Sequence, residues 1–261
     1  NIMIMMLKDS SQASTINVAE LTLQGQILAS STFKNMTVYT LVALLYLSMS
    51  LPLIAFGHSM GSALTQSHIQ NHGNLLAGAV LCGTLGAVPG LTEEAYQRDI
   101  AQLEVAATGP DAMAPSEFFG SLLAGFNTPF VVEGVTPTGS EWQTRDPEEV
   151  RIFQSDPLCG KPFSNAMTYS VIKGFHSLWE LANESRVPSE LPILVIAGSE
   201  DPVGGRTETI QGLISRYLAE GHRRLEYRFY AGGRHEILNE PEKDRVHRDI
   251  GLWLESVLDA V

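Results

Sequence analysis

A serine enclosed by two glycines is the first place in this chain where chemistry is legible. In Gly57-His58-Ser59-Met60-Gly61 the serine follows the apolar run Leu51-Pro-Leu-Ile-Ala-Phe56 and precedes a helical pattern over Gly61–His72 that ends at Gly73. A hydroxyl is a weak nucleophile, so it must stand clear of the sheet at a sharp strand-to-helix turn where an imidazole can reach it. Flanking glycines suit such a turn, because they omit the Cβ that would meet the neighbouring strand or helix. The amide of Met60, at the helix start, would face a developing oxyanion with help from the positive end of the helix dipole.

Such a serine needs a base, and the order nucleophile, acid, histidine asks for both partners downstream. The apolar run Leu191–Gly198 leads straight into Ser199-Glu200-Asp201-Pro202, which places carboxylates at the carboxyl end of a strand. Either acid could serve, and Asp201 is preferred because Pro202 fixes it one step further around the turn. The histidine follows in Gly232-Gly233-Arg234-His235-Glu236, just after a strand ending at Tyr230. His235 is therefore the expected base. His58 lies inside the serine turn, His68 and His72 on the following helix, His176 in a helical stretch, and His222 and His247 in a polar loop and a terminal helix. His235 would take the Ser59 proton during attack on an acyl carbon, with Asp201 holding the imidazole tautomer; water would then release the acyl group, with no metal or organic cofactor.

The elements that must position these groups can be read from periodicity. Leu51–Gly57, Leu76–Cys82, Leu191–Gly198 and Leu225–Tyr230 read as strands covered on both faces. Helices are predicted over Gly61–His72, over Thr207–Glu220 ending at Gly221, and over Glu242–Leu258 after Pro241. Strands alternating with amphipathic helices predict an α/β fold with a mostly parallel sheet. Between Gly83 and about Ser189 the alternation stops and helical stretches with Gly/Pro breaks take over. Thr92 is a predicted N-cap, and Asp146-Pro147-Glu148-Glu149 a predicted helix start. The expected organisation is a core of residues 1–86 and 187–261 with a helical cap, or lid, at 87–186; a plain helical subdomain without a gating role stays open. Residues 1–37 offer little beyond a possible strand around Leu21–Leu28.

Composition narrows the class. The chain of 261 residues is 44% hydrophobic and 18% charged, enough to bury a core, and carries a formal charge of −12. Such a balance argues against binding nucleic acid or an anionic bilayer. Cys82 and Cys159 have no metal-site or disulfide spacing. Val38–Phe56 is uncharged and long enough to span a bilayer, but Pro52 interrupts it, so a short helix and then a buried strand is the expectation. The start, Asn1-Ile-Met-Ile-Met-Met6, does not read as a secretory signal, and a cytoplasmic protein without a transmembrane span is expected. Oligomeric state is not legible.

Phe56-Gly-His-Ser-Met-Gly-Ser62, Gly198-Ser-Glu-Asp-Pro-Val203, Gly233-Arg-His-Glu-Ile-Leu-Asn-Glu240 and Asp156-Pro-Leu-Cys-Gly160 together resemble the monoacylglycerol lipase and lysophospholipase-like branch of the α/β-hydrolases, over about 41–260. The resemblance implies an α/β-hydrolase fold with a helical cap, hydrolysis of carboxylic esters of single acyl chains, and Ser59, Asp201 and His235 as nucleophile, acid and base. It also implies a longer upstream half with a His-Gly turn supplying the second oxyanion amide, which residues 1–50 lack; that donor is unassigned, and the amino-terminal side of the sheet is expected to be incomplete or atypical. Phe126, Phe153, Trp179 and His58 are candidate substrate-binding residues. The apolar residues of the insertion could equally be its own core. A small amide or peptide hydrolase with the same triad, and a hydrolase-fold binding protein of weakened activity, remain alternatives to a small acyl-ester substrate.

Overall fold

The computed structural model describes residues 54–259, with Gln24, Ile27, Leu28, Val38, Thr40 and Val42 from the upstream part. Four strands, β1 (Ile54–His58), β2 (Gly78–Cys82), β3 (Ile193–Gly198) and β4 (Leu225–Tyr230), form one parallel sheet in chain order. Every described strand therefore points its carboxyl end the same way, and the loops that leave those ends converge along one rim.

Alternation along the strands explains how the sheet is covered. Ala79 and Leu81 of β2 and Ile193, Val195 and Ala197 of β3 face one side, where they pack on Ile69 of α1 (Met60–His72) and on Ile210, Leu213, Ile214 and Tyr217 of α7 (Glu208–Ala219). Val80, Cys82, Leu194 and Ile196 face the other side and meet Val246, Ile250, Trp253 and Val257 of α8 (Lys243–Leu258). The helix residues recur at three- and four-residue steps, so each helix offers one stripe to the sheet. β4 departs from the expected doubly covered strand. Its sequence, Leu225-Glu-Tyr-Arg-Phe-Tyr230, is only partly buried, and Arg228 pairs with Glu226 and with Asp249. Charges of this kind protect a sheet edge from pairing with another chain.

Between β2 and β3 lie α2 (Glu93–Thr108), α3 (Glu117–Asn127), α4 (Pro147–Ser155), α5 (Asn165–Phe175) and the short α6 (Leu181–Glu184). The first four begin on a capping side chain: Thr92, Ser116, Asp146 and Ser164 accept from Ala95, Phe119, Glu148 and Met167 amides. Such caps stabilise a helix by about 1 kcal/mol each. Tyr96, Ile100 and Leu103 of α2 form a small core with Tyr169 and Ile172 of α5.

The possible strand at Leu21–Leu28 is corrected where residues are described, since Gln24, Ile27 and Leu28 are helical. Gln and Leu are better helix formers than strand formers, and apolar spacing over eight residues does not separate the two periods. The rest of that segment and most of Val38–Phe56 lie outside the described residues. Among the described residues, no helix is long and apolar enough to cross a membrane.

Candidate active site

Ser59 occupies the turn between β1 and α1 with φ 56° and ψ −124°, a left-handed conformation that a side chain rarely adopts. Its amide donates to the Cys82 carbonyl at 3.0 Å, which ties the turn to the end of β2. Close packing requires Gly57: a Cβ there would stand 2.2 Å from the Gly61 carbonyl oxygen and 2.3 Å from Thr65 Oγ1. Gly61 differs from expectation, since a Cβ there meets nothing within 4 Å among the described residues. Only the first of the two glycines is demanded by sterics. We therefore expect Gly57→Ala to lower stability by about 3 kcal/mol through backbone overpacking, read as a fall in the urea midpoint, whereas Gly61→Ala stays near wild type.

The predicted acid and base are in direct contact. His235 Nδ1 lies 3.0 Å from both Oδ1 and Oδ2 of Asp201, with His235 2% exposed and Asp201 fully buried. Nδ1–H donating to the carboxylate leaves Nε2 as the acceptor, the tautomer a general base requires. The Val203 amide donates to Asp201 Oδ1 at 2.9 Å and fixes the carboxylate. Burial opposes a charge on His235, but the Asp201 carboxylate, through charge and hydrogen bond and with Glu236 adding to it, outweighs burial, so the imidazole is held above its ordinary value. Glu200 instead points outward, 45% exposed, against Arg206.

Backbone contacts weld the two loops together. The Glu200 amide donates to the Gly233 carbonyl at 2.9 Å, and a Cβ on Gly198 would come within 2.1 Å of the same oxygen. Ser59 and His235 both border the end of β2: the Ser59 amide bonds Cys82, and a Cβ on Gly83, the next residue, would stand 3.2 Å from His235 Cε1 and 3.1 Å from His58 Nε2. The Ser59 hydroxyl makes no hydrogen bond among the described residues, so proton transfer requires it and Nε2 to close to about 2.6–3.2 Å, as unliganded sites commonly do on binding substrate. No side chain caps α1, which leaves the Met60 amide unmet by a cap.

The candidate substrate-binding residues separate into different surroundings. His58 packs beneath His235, ring centroids 4.8 Å apart, with Nε2 3.2 Å from the His235 carbonyl and 3.7 Å from Glu236 Oε2. Burial, with help from His235, lowers its pKa despite Glu236, so it is a neutral brace for the histidine loop. Trp179 packs against the α1 and α7 side of the core and donates from its indole N–H to Gln66 Oε1 at 3.0 Å. Phe126 packs on Trp142 at 5.5 Å. Phe153 lines a cavity of about 760 Å³ together with Leu123, Thr138, Ser140, Trp142, Gln143, Gln154, Cys159, Lys161 and Phe163.

Trp142 escaped sequence reading, although it links the cavity to the chemistry: its ring lies 5.1 Å from that of His235. His58, His235 and Glu236 also bring ligating atoms within 4.8 Å of one another. A metal there would have to displace the hydrogen bond between His58 Nε2 and the His235 carbonyl and would occupy the His235 nitrogen that Asp201 leaves free, the one a general base needs, so a metal and a base at His235 exclude each other.

Fold and strand-end chemistry together place the protein among the α/β-hydrolases. Residues 37–242 match the family described as serine aminopeptidase, S33, and the chain belongs to that family. It is 24% identical over 213 residues to a monoacylglycerol lipase of Mycolicibacterium smegmatis, covering 80% of this chain and 64% of that protein. The chain thus spans less than two thirds of that relative's length. A carboxyl esterase from Bacillus coagulans, solved in complex with glycerol, has a TM-score of 0.70 and 26% identity over 85% of this chain and 69% of its own. A lipase in its open form has a TM-score of 0.66 and 27% identity over 85% and 73% of the two chains.

Proposed function

We propose that the protein hydrolyses carboxylic esters of single acyl chains through an acyl-enzyme, with Ser59 as nucleophile, His235 as base and Asp201 as the group that orients it. The observation carrying this reading is the buried Asp201–His235 contact on the rim where Ser59 stands in its left-handed turn. Met60 N–H is the oxyanion donor in this reading; the second donor is unassigned. The helices between β2 and β3 act as a cap, and their cavity, within the 300–1,000 Å³ range of small-molecule sites, takes the acyl chain. Its walls mix aromatic and aliphatic residues such as Phe153, Phe163, Trp142 and Leu123 with polar ones such as Gln143, Gln154 and Lys161. The esterase and lipase relatives support the ester, and glycerol in the Bacillus coagulans complex suggests a small polyol head group.

The family's description favours a second reading, an aminopeptidase. An aminopeptidase has to hold a substrate ammonium, yet among the described residues no carboxylate lines the cavity, and Lys161 does. The decisive measurement is turnover of p-nitrophenyl esters from acetate to decanoate beside aminoacyl p-nitroanilides. A medium- or long-chain ester optimum supports the proposal, anilide turnover replaces it with the peptidase, and no turnover of either by folded protein sinks both. In the same assay, Phe153→Trp shrinks the cavity and should lower the ratio of decanoate to acetate kcat/KM by about tenfold, since a few lost methylene contacts suffice for that. An unchanged ratio would move the acyl chain elsewhere.

A further inference from the structure

The loop carrying His235 is held from two directions, only one of which is β4. Three successive residues of the loop hydrogen-bond across to 141–144, in the segment between α3 and α4. The His235 amide donates to the Trp142 carbonyl at 3.4 Å, the Glu236 amide to the Gln143 carbonyl at 2.7 Å, and the Arg234 guanidinium to the carbonyls of Glu141 and Thr144. Glu240 closes this seam. It is 2% exposed, and one carboxylate oxygen accepts the Arg234 amide at 2.6 Å while the other accepts the Arg145 amide at 3.2 Å and Arg145 Nε at 3.1 Å.

A buried carboxylate is an expensive way to gain stability, because its desolvation cancels most of the attraction and an apolar pair often does as well. What it supplies here is direction: one rigid group bonds at once to the residue preceding the base and to the segment that carries Trp142. Trp142 in turn lies against the His235 ring and walls the cavity. The segment cannot shift without either breaking the Glu240 bonds or moving the imidazole.

We infer that Glu240 and Arg145 are positioning residues, a clasp that makes the orientation of His235 against Asp201 depend on how the Trp142 segment is seated, and so couples filling of the cavity to readiness of the base. The inference rests on the ester-hydrolase reading for its consequence in turnover, but not for its geometry. The test uses Glu240→Gln and Arg145→Met in the full chain; Arg145 is partly exposed, so the second variant keeps the question open to measurement should the first not fold.

Two readouts separate positioning from mere support. In steady state on p-nitrophenyl acetate, kcat should fall 10- to 100-fold with KM within about twofold, and the double variant should lose no more than the worse single one, as members of one device do. In proton NMR, the downfield Nδ1–H resonance of the His235–Asp201 hydrogen bond should be sharp in wild type and shift when decanoate is added, and should broaden and stop responding in the variants. Folded variants with wild-type kcat and an unaltered resonance overturn the clasp. The resonance requires no turnover, so a wild-type chain inactive on esters would refute the proposed function while leaving the clasp to be judged on the spectrum.

Discussion

Alanine at position 59 should reduce ester turnover by about 10⁴- to 10⁶-fold, the loss seen when the attacking atom of such a unit is removed. The change ought to leave folding intact, because the hydroxyl makes no hydrogen bond among the described residues and the turn is held by the hydrogen bond that the Ser59 amide donates to the Cys82 carbonyl. Initial rates on p-nitrophenyl butyrate, with the thermal midpoint of the same preparation, measure both halves of this statement. A fluorophosphonate probe adds a direct reading, labelling wild type at Ser59 and sparing the variant. Residual turnover above a few per cent, with the midpoint unmoved, would mean another nucleophile carries the reaction.

The second large effect belongs to Asp201→Asn, for which a loss of about 10⁴-fold in kcat is expected, since an amide no longer selects the tautomer with Nε2 free. The pH profile gives the sign independently. His235 accepts a proton only when neutral, so activity disappears on the acid side as the imidazole becomes charged. Burial works against that charge and the Asp201 carboxylate, with Glu236 adding to it, more than offsets burial, which places the acid limb of wild-type kcat/KM above the ordinary imidazole value near 6.5. Without the carboxylate, burial prevails, and the limb of the residual activity should move to lower pH. Linkage runs the same way: a pKa raised by folding stabilises the native state below the unfolded value and ceases to do so as pH rises through the folded one. The stability gap between wild type and Asp201→Asn should therefore narrow towards alkaline pH. A limb that stays where it was would dissociate Asp201 from the base.

Much of this arrangement could be anticipated from local patterns. β1, β2 and β3 are short runs of aliphatic residues, and α7 and α8 show clean stripes, because a sheet covered on both sides and a helix covered on one leave those periods in the chain. Asp201 and His235 were legible because parallel strands deliver their carboxyl ends to a single rim, so the residue after each strand is a candidate for chemistry. Gly57 and Gly61 looked alike in sequence, yet only coordinates reveal that one faces a backbone oxygen while the other, among the described residues, faces open space. Trp142 and Arg145 left no signal, and Glu240 entered only as the last residue of a motif, since what defines the Arg145–Glu240 pair is contact between stretches 95 positions apart. Trp179 and Phe153 were equally plausible as apolar residues of the insertion; a partner as distant as Gln66 decides that Trp179 serves the core. β4 misled because a strand with charges at alternate places still has the length and β-forming residues of a central one.

The helices between β2 and β3 own their capping side chains and a small apolar nucleus of their own. Inherited variation can therefore accumulate there without first passing through the rim of the sheet, where a Cβ added at Gly57 or Gly198 would meet a carbonyl oxygen at 2.2 or 2.1 Å. Selection for new diets of substrate has a soft region to sculpt and a hard one to leave alone, and the seam at Glu240 is where the two histories must stay in step.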